Sequence, residues 1–225
     1  MPKLMQKEID KIKRKLLELA ARVEDSVRLA VKSIDFQDVE LARKVIDGDQ
    51  LIDEMEVDLE EDCLKVLALH QPVAGDLRFI VAVLKINNDL ERIGDLSVNI
   101  AKRTLLMANF ERMGITFNFP AMAELAQKML KKSVDALVNA NTALAYELWE
   151  DDDQVDEINR EMYQRVQAEI LKHPEKIECL IIQLTVSRVL ERIADHTLHI
   201  AESVIYLVDG EIIRHKSIAH RLAGG

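Results

Sequence analysis

Aromatic residues are scarce in this chain: one Trp, three Tyr and five Phe among 225 residues. Glycine and proline are scarce too, at seven and four. A β-sandwich with frequent turns needs more of all three, so that class is excluded. So few glycines also leave no phosphate-cradling loop of the usual kind, and no Walker loop, nucleophile elbow or dinucleotide fingerprint is present. The two cysteines, Cys63 and Cys179, form no Cys-x-x-Cys pair and sit in apolar sequence. They read as buried thiols in a reducing compartment. Positive charge is in deficit, with a formal net charge of −10. The densest basic run, Lys11-Ile12-Lys13-Arg14-Lys15, reads as the solvated face of an amphipathic helix, so no nucleic-acid partner is expected. No stretch approaches the ~18 uncharged apolar residues of a membrane span, and the N-terminus has no signal-peptide core. The expected location is the cytoplasm, with membranes reached only through partners.

Apolar residues are abundant, at 48%. They recur at spacings of three and four: Ile9, Ile12, Leu16, Leu19, Val23; then Ile86, Leu90, Ile93, Ile100; then Leu190, Ile193, Thr197, Ile200, Val204. This is the seam of bundle helices packed at shallow angles. Breaks fall at Asp35-Phe36-Gln37-Asp38, His70-Gln71-Pro72, the stretch from Gly114 to Pro120, Asp151-Asp152-Asp153, His173-Pro174 and Gly210. An Asp offers an N-cap, a proline constrains its predecessor, and acids favour a helix start. Six helices are predicted, at about 4–34, 38–69, 73–109, 120–150, 152–172 and 175–209.

The segment Leu90-Glu91-Arg92-Ile93-Gly94-Asp95 returns 100 residues later as Leu190-Glu191-Arg192-Ile193-Ala194-Asp195. Upstream, Asp49-Gln50-Leu51-Ile52-Asp53-Glu54 returns 103 residues later as Asp152-Asp153-Gln154-Val155-Asp156-Glu157. Two landmarks in the same order make a duplication. The predicted fold is all-α: two tandem, pseudo-symmetric three-helix bundles over residues 1–114 and 115–225.

All four landmarks carry carboxylates at i and i+4: Asp49/Asp53, Glu91/Asp95, Asp152/Asp156 and Glu191/Asp195. Such pairs share one helix face. Glu91 and Asp95 lie more than about 120° from the seam of Leu90, Ile93, Ser97 and Ile100, at about 100° per residue. They belong to a surface or an inter-helix groove. Forty acidic residues give roughly seven acid-x-x-x-acid pairs by chance, most of them simply solvated. The duplicated placement is what argues for more. Like charges one turn apart destabilise a helix, so matching pairs ask for a cation. Clustered carboxylate oxygens suit a hard metal such as magnesium, manganese, calcium or iron, one site per half. Salt bridges from Arg92 and Arg192 are the other way to neutralise them. No histidine follows a glutamate by three residues, which argues against a di-iron oxygenase. His199, one turn after Asp195, is a candidate extra ligand, although a lone helical histidine is more often a surface or packing residue. No catalytic constellation emerges, so the chain does not read as an enzyme.

The stretch Gln71-Pro72-Val73-Ala74-Gly75-Asp76-Leu77-Arg78, with Lys85-Ile86 and Leu90-Glu91-Arg92-Ile93-Gly94-Asp95, resembles the first half of the PhoU family. Leu190-Glu191-Arg192-Ile193-Ala194-Asp195-His196 and Ile200-Ala201-Glu202-Ser203-Val204-Ile205-Tyr206 are similar to its second repeat. The resemblance covers almost the whole chain. It implies an accessory protein that represses the phosphate-starvation response and restrains phosphate uptake. Its implied partners are the ATPase of a phosphate ABC transporter, a sensor histidine kinase and a second copy of itself. It also implies metal (iron, zinc, manganese or magnesium) at Asp49, Asp53, Glu91, Asp95, Asp152, Asp156, Glu191 and Asp195. The chain departs from the family pattern at His199, where Asn is common and the first half keeps Asn99. The second half also lacks the Pro-Val-Ala-Gly-Asp-Leu-Arg stretch and starts its third helix from His173-Pro174-Glu175-Lys176.

Overall fold

A computed structural model describes residues 3–110 and 119–213. The described residues form six α-helices: α1 Lys3–Phe36, α2 Val39–His70, α3 Ala74–Met107, α4 Phe119–Val138, α5 Thr142–Lys172 and α6 Ile177–Asp209. A 3-10 turn at Pro174–Lys176 leads into α6. No strand occurs among the described residues. The expected linker residues 114–118, and with them the expected boundary at 114, lie outside the described residues.

Local chemistry sets the helix ends in the same way in both halves. After α1, Gln37 takes a left-handed backbone (φ 51) and the Asp38 N–H bonds back to Ser33 O at 2.8 Å. Asp38 then caps α2, its carboxylate accepting from the N–H groups of Glu40 and Leu41. After α4, Ala140 takes φ 47 and the Asn141 N–H bonds to Ala136 O at 2.9 Å. Asn141 caps α5 through the Leu144 N–H. Both are Schellman-type stops followed at once by an Asx start. Gly210, at φ 77, closes α6.

One sequence expectation is corrected here. The helix break predicted at Asp151-Asp152-Asp153 is mid-helix, and the true break is at 139–141. The acids there do not mark a helix start. Asp151 is buried and receives Lys132 at 2.5 Å and Lys128 at 3.3 Å, both from α4. A carboxylate gripped by two ammonium groups one turn apart is satisfied in a helix interior. Asp62 of α2 is held the same way, by Lys11 and Lys15 of α1 at 2.8 and 2.5 Å.

Helices α1, α2 and α3 pack on one another, as do α4, α5 and α6. The two triplets join mainly through α3 against α6, with α1 also touching α4. One hydrophobic cluster runs through both halves and contains Leu90, Ile93, Ile100, Leu190, Ile193 and Ile200. The two cysteines are buried and free, as expected. Gly94 permits close approach of α2: a Cβ there would meet Ile52 Cγ2 at 3.2 Å. The fold is thus the duplicated three-helix bundle that the repeats imply.

A non-glycine residue in the left-handed region carries steric strain that glycine lacks. Ala140→Gly should therefore stabilise the protein by about 0.5–1 kcal/mol, raising the melting temperature by roughly 1–4 °C for a chain of this size. Urea unfolding of the two proteins measures this, and a loss of stability would contradict the role given to the turn.

Candidate functional site

The eight predicted acids gather into two clusters, one per half. Asp49 and Asp53 on α2 face Glu91 and Asp95 on α3. Burial raises the pKa of Asp49, and repulsion from Asp53 and Asp95 adds to it, against relief from Lys102. Burial likewise raises Glu91, with Asp95, Asp53 and Glu56 adding and Arg92 opposing. Arg92 is the neutraliser that sequence suggested, reaching Glu91 and Asp95 at 3.5 Å each. Those distances are long and the guanidinium is half-exposed, so the pairing is weak.

In the second half, Asp152 and Asp156 on α5 face Glu191 and Asp195 on α6. Asp152 is pushed up to about 7, first by burial and then by repulsion from Asp156, Asp195, Asp153 and Glu191. Glu191 and Asp195 are raised too, first by burial; Arg188 opposes the shift at Glu191, and His199, His196 and Arg192 oppose it at Asp195. A groove of ≈ 520 Å³ opens beside this cluster, lined by Asp156, Asn159, Arg188 and Glu191 among others. The donors of both clusters are all oxygens and short of cationic partners, although among the described residues no three of these carboxylates bring ligand atoms within 4.8 Å of one another. That chemistry fits a hard cation.

Two features escaped the sequence reading. The first is Glu56 on α2, whose own pKa is raised by burial, Glu60 and Asp53. The buried Asn87 amide donates to Glu56 Oε1 at 2.7 Å and to its backbone carbonyl at 2.9 Å. In the second half the matching positions are Asn159 and Ser187, and the Ser187 hydroxyl donates to Asn159 Oδ1 at 2.6 Å. The first cluster therefore has a fifth acid where the second has an amide. The signal was available: Glu56 follows Asp53 by three residues, on the same face.

The second feature is Asp89 on α3. Its Oδ1 accepts from His196 Nδ1 at 2.9 Å and from His199 Nδ1 at 3.3 Å, both on α6. Among the described residues, Asp89, His196 and His199 are the group that brings three ligand atoms within 4.8 Å of one another. His199 thus turns toward α3, and not only toward Asp195 in its own helix. Burial works against the Asp89 charge, but the two imidazole hydrogen bonds and attractions outweigh it and lower its pKa. The His199 pKa is raised, chiefly by its hydrogen bond to Asp89.

Residues 16–104 and 119–204 each match the PhoU domain family. The chain belongs to the PhoU family. The "Phosphate-specific transport system accessory protein PhoU homolog" of Aquifex aeolicus is 38% identical, over 96% of this chain and 97% of that protein. PhoU homolog 1 of Thermotoga maritima is 31% identical over 92% of this chain and 89% of its own. The crystal structure of PhoU from Pseudomonas aeruginosa superposes with a TM-score of 0.88 at 31% identity, covering 92% of this chain and 99% of that one. Both the duplicated PhoU match and the solved PhoU structures agree with the two-bundle fold. No helix among the described residues is long and apolar enough to cross a membrane.

Asp152 supplies a stability test. In the unfolded chain its carboxyl ionises near 3.8, whereas the folded protein holds the proton until about 7. Between those values the folded state binds more protons, so stability falls as pH rises through that window, and the full penalty stands above it. In metal-free protein Asp152→Asn should remove the penalty. The gain at pH 8, discounted for partial exposure, is about 1 kcal/mol, or roughly 2–4 °C. Melting temperatures from pH 4 to 8 should flatten relative to wild type, and an unchanged slope would contradict the repulsion described for this cluster.

Proposed function

We propose that the protein is a cytoplasmic, non-enzymatic regulator that represses the phosphate-starvation response and restrains phosphate uptake. It acts by contact, linking the ATPase of a phosphate ABC transporter to a sensor histidine kinase, and it works as a homodimer. Family membership across nearly the whole chain supports this reading, as does similarity to the phosphate-specific transport system accessory protein homolog of Aquifex aeolicus. The observation that carries the mechanism is the pair of acidic clusters, set in equivalent inter-helix grooves of two equivalent halves. Each half, 1–114 and 115–225, is on this reading one docking module.

The clusters are charged faces short of cations. Basic surfaces on the partners neutralise them, and complementary charge of this kind contributes mainly association rate and specificity. Asp49, Asp53, Glu91 and Asp95 hold a metal in the first half, and Asp152, Asp156, Glu191 and Asp195 in the second. The all-oxygen donor set suits iron, manganese or magnesium, with zinc the softer case. The ion supplies positive charge that relieves the mutual repulsion of the carboxylates.

Co-purification with the transporter ATPase and the kinase, at high and low phosphate, tests the proposal. Binding of at least one partner is expected, and it should weaken as salt rises. Absence of binding at both phosphate levels would sink the idea. Glu191→Gln combined with Asp195→Asn separates the two uses of the acids. Loss of both metal and partner is expected if the ion is part of the docking face, whereas loss of metal with partner binding intact would remove the ion from the mechanism.

A further inference from the structure

We propose that Asp89, His196 and His199 form a separate site for a divalent transition metal, such as zinc, that ties the two halves together across α3 and α6. This inference does not depend on the docking role or on the carboxylate clusters.

The ligand set comes first. His196 and His199 stand one turn apart on α6, their rings in an edge arrangement with centroids 5.4 Å apart. Asp89 meets them from α3, its Oδ1 at 2.9 and 3.3 Å from the two Nδ1 atoms. A tetrahedral zinc with bonds of about 2.0–2.1 Å holds its ligand atoms roughly 3.3 Å apart. The observed separations are therefore close to those of a loaded site. Two imidazole nitrogens and one carboxylate oxygen select zinc, cobalt or nickel over magnesium or calcium.

Burial makes the arrangement demanding. Asp89 is only 7% exposed. Its ion-pair partners among the described residues are the two imidazoles. Lys85, one turn earlier on α3, directs its ammonium to the Tyr206 ring at 5.0 Å instead. A buried carboxylate costs several kcal/mol unless a cation and hydrogen bonds compensate it. A metal ion supplies that charge directly.

The duplication provides an independent control. At the positions matching Asp89 and His196 the other half carries Val189 and Leu96, both buried and apolar, with Asn99 in place of His199. The polar set is thus no by-product of the repeat. It appears on one side of the pseudo-symmetric α3–α6 pair, where the apolar alternative demonstrably packs.

Access is open as well. A cleft of ≈ 430 Å³ reaches Asp89 and His199 and is lined also by Glu202, Ser203 and Tyr206. Glu202 lies three residues after His199 on the same face and attracts it. Its carboxylate stands outside the 4.8 Å that joins the other three, so water from the cleft would complete the coordination.

Cobalt titration of the chelator-stripped full chain tests the site. Saturating magnesium is added first to fill any oxygen-only sites. Wild type should bind about one equivalent of cobalt with a visible absorption band of low-symmetry nitrogen and oxygen ligation, and zinc should abolish the band. His199→Asn installs the residue that the first half carries, at a half-exposed position, so the fold should persist, as circular dichroism will verify. It should weaken cobalt binding by about 100-fold or more, since loss of supporting groups alone costs 10- to 100-fold. Asp89→Asn should do the same. Zinc should raise the melting temperature of wild type and leave that of His199→Asn unmoved. Glu191→Gln should retain the band. Failure of wild type to bind cobalt, equal affinity in His199→Asn, or loss of the band in Glu191→Gln alone would each overturn the proposal.

Discussion

Burial of one apolar stripe of α3 and one of α6 in a common core is the constraint from which the remaining structure follows. Leu90, Ile93 and Ile100 on one helix, and Leu190, Ile193 and Ile200 on the other, are all at or below 1% exposure. Each such side chain contributes on the order of 1.5–3 kcal/mol by leaving water. Once those residues face inward, the helical period decides where their neighbours point. Glu91 and Asp95 must turn toward α2, and Glu191 and Asp195 toward α5. The acids are carried to the grooves by the same residues that hold the halves together.

Duplication made most of this legible in advance. The apolar seams and the two repeated landmarks carry the helix count, the halves and the pairing of α2 with α3 and of α5 with α6. The start of α5 was misplaced because three consecutive aspartates look like a helix N-terminus. The first of them, Asp151, is satisfied inside the helix by Lys128 and Lys132 on α4, which only tertiary packing brings to it. Yet the offset of 103 residues that relates Asp49 to Asp152 also carries Asp38 to Asn141. Applying the repeat to the caps, and not only to the acids, places that break correctly. Asp89 was illegible for a different reason. It lies 107 residues from His196, and nothing local marks it. Its one signal is a mismatch, a carboxylate where the other half has Val189.

The two clusters are equivalent in placement and unequal in chemistry. In the first, Glu56 adds an acid while Arg92 and Lys102 offset part of the charge. In the second, Asn159 stands in for the acid, yet Asp152 is more strongly perturbed because it is buried among four other carboxylates. Counting acids therefore does not rank the clusters; burial does, since desolvation heads the causes of every raised carboxylate in either groove. Gene duplication explains why both halves keep the scaffold. All four acid positions are kept in both grooves, and the chemical difference comes from Glu56 and Asn87 in the first against Asn159 and Ser187 in the second.

Divergence at the α3–α6 seam is of another kind. Residues lining a groove can change charge without disturbing the core, but Asp89 sits inside the joint itself, where its counterpart is a valine. Exchanging a packed apolar pair for a carboxylate and two imidazoles surrenders hydrophobic burial and adds desolvation cost, so on stability alone the apolar version is favoured. Such an arrangement is retained only when the polar groups are compensated by each other or by a ligand. The two imidazoles supply that compensation within the chain, and the hydrogen bond to Asp89 raises the His199 pKa, which favours its charged form. The oxygen-only grooves and the nitrogen-containing seam therefore ask for different cations. A hard ion or a basic protein surface would suit the first, and a borderline transition metal the second. The same pseudo-symmetric frame thus carries two matched acidic grooves and, between its halves, one joint that is polar on a single side.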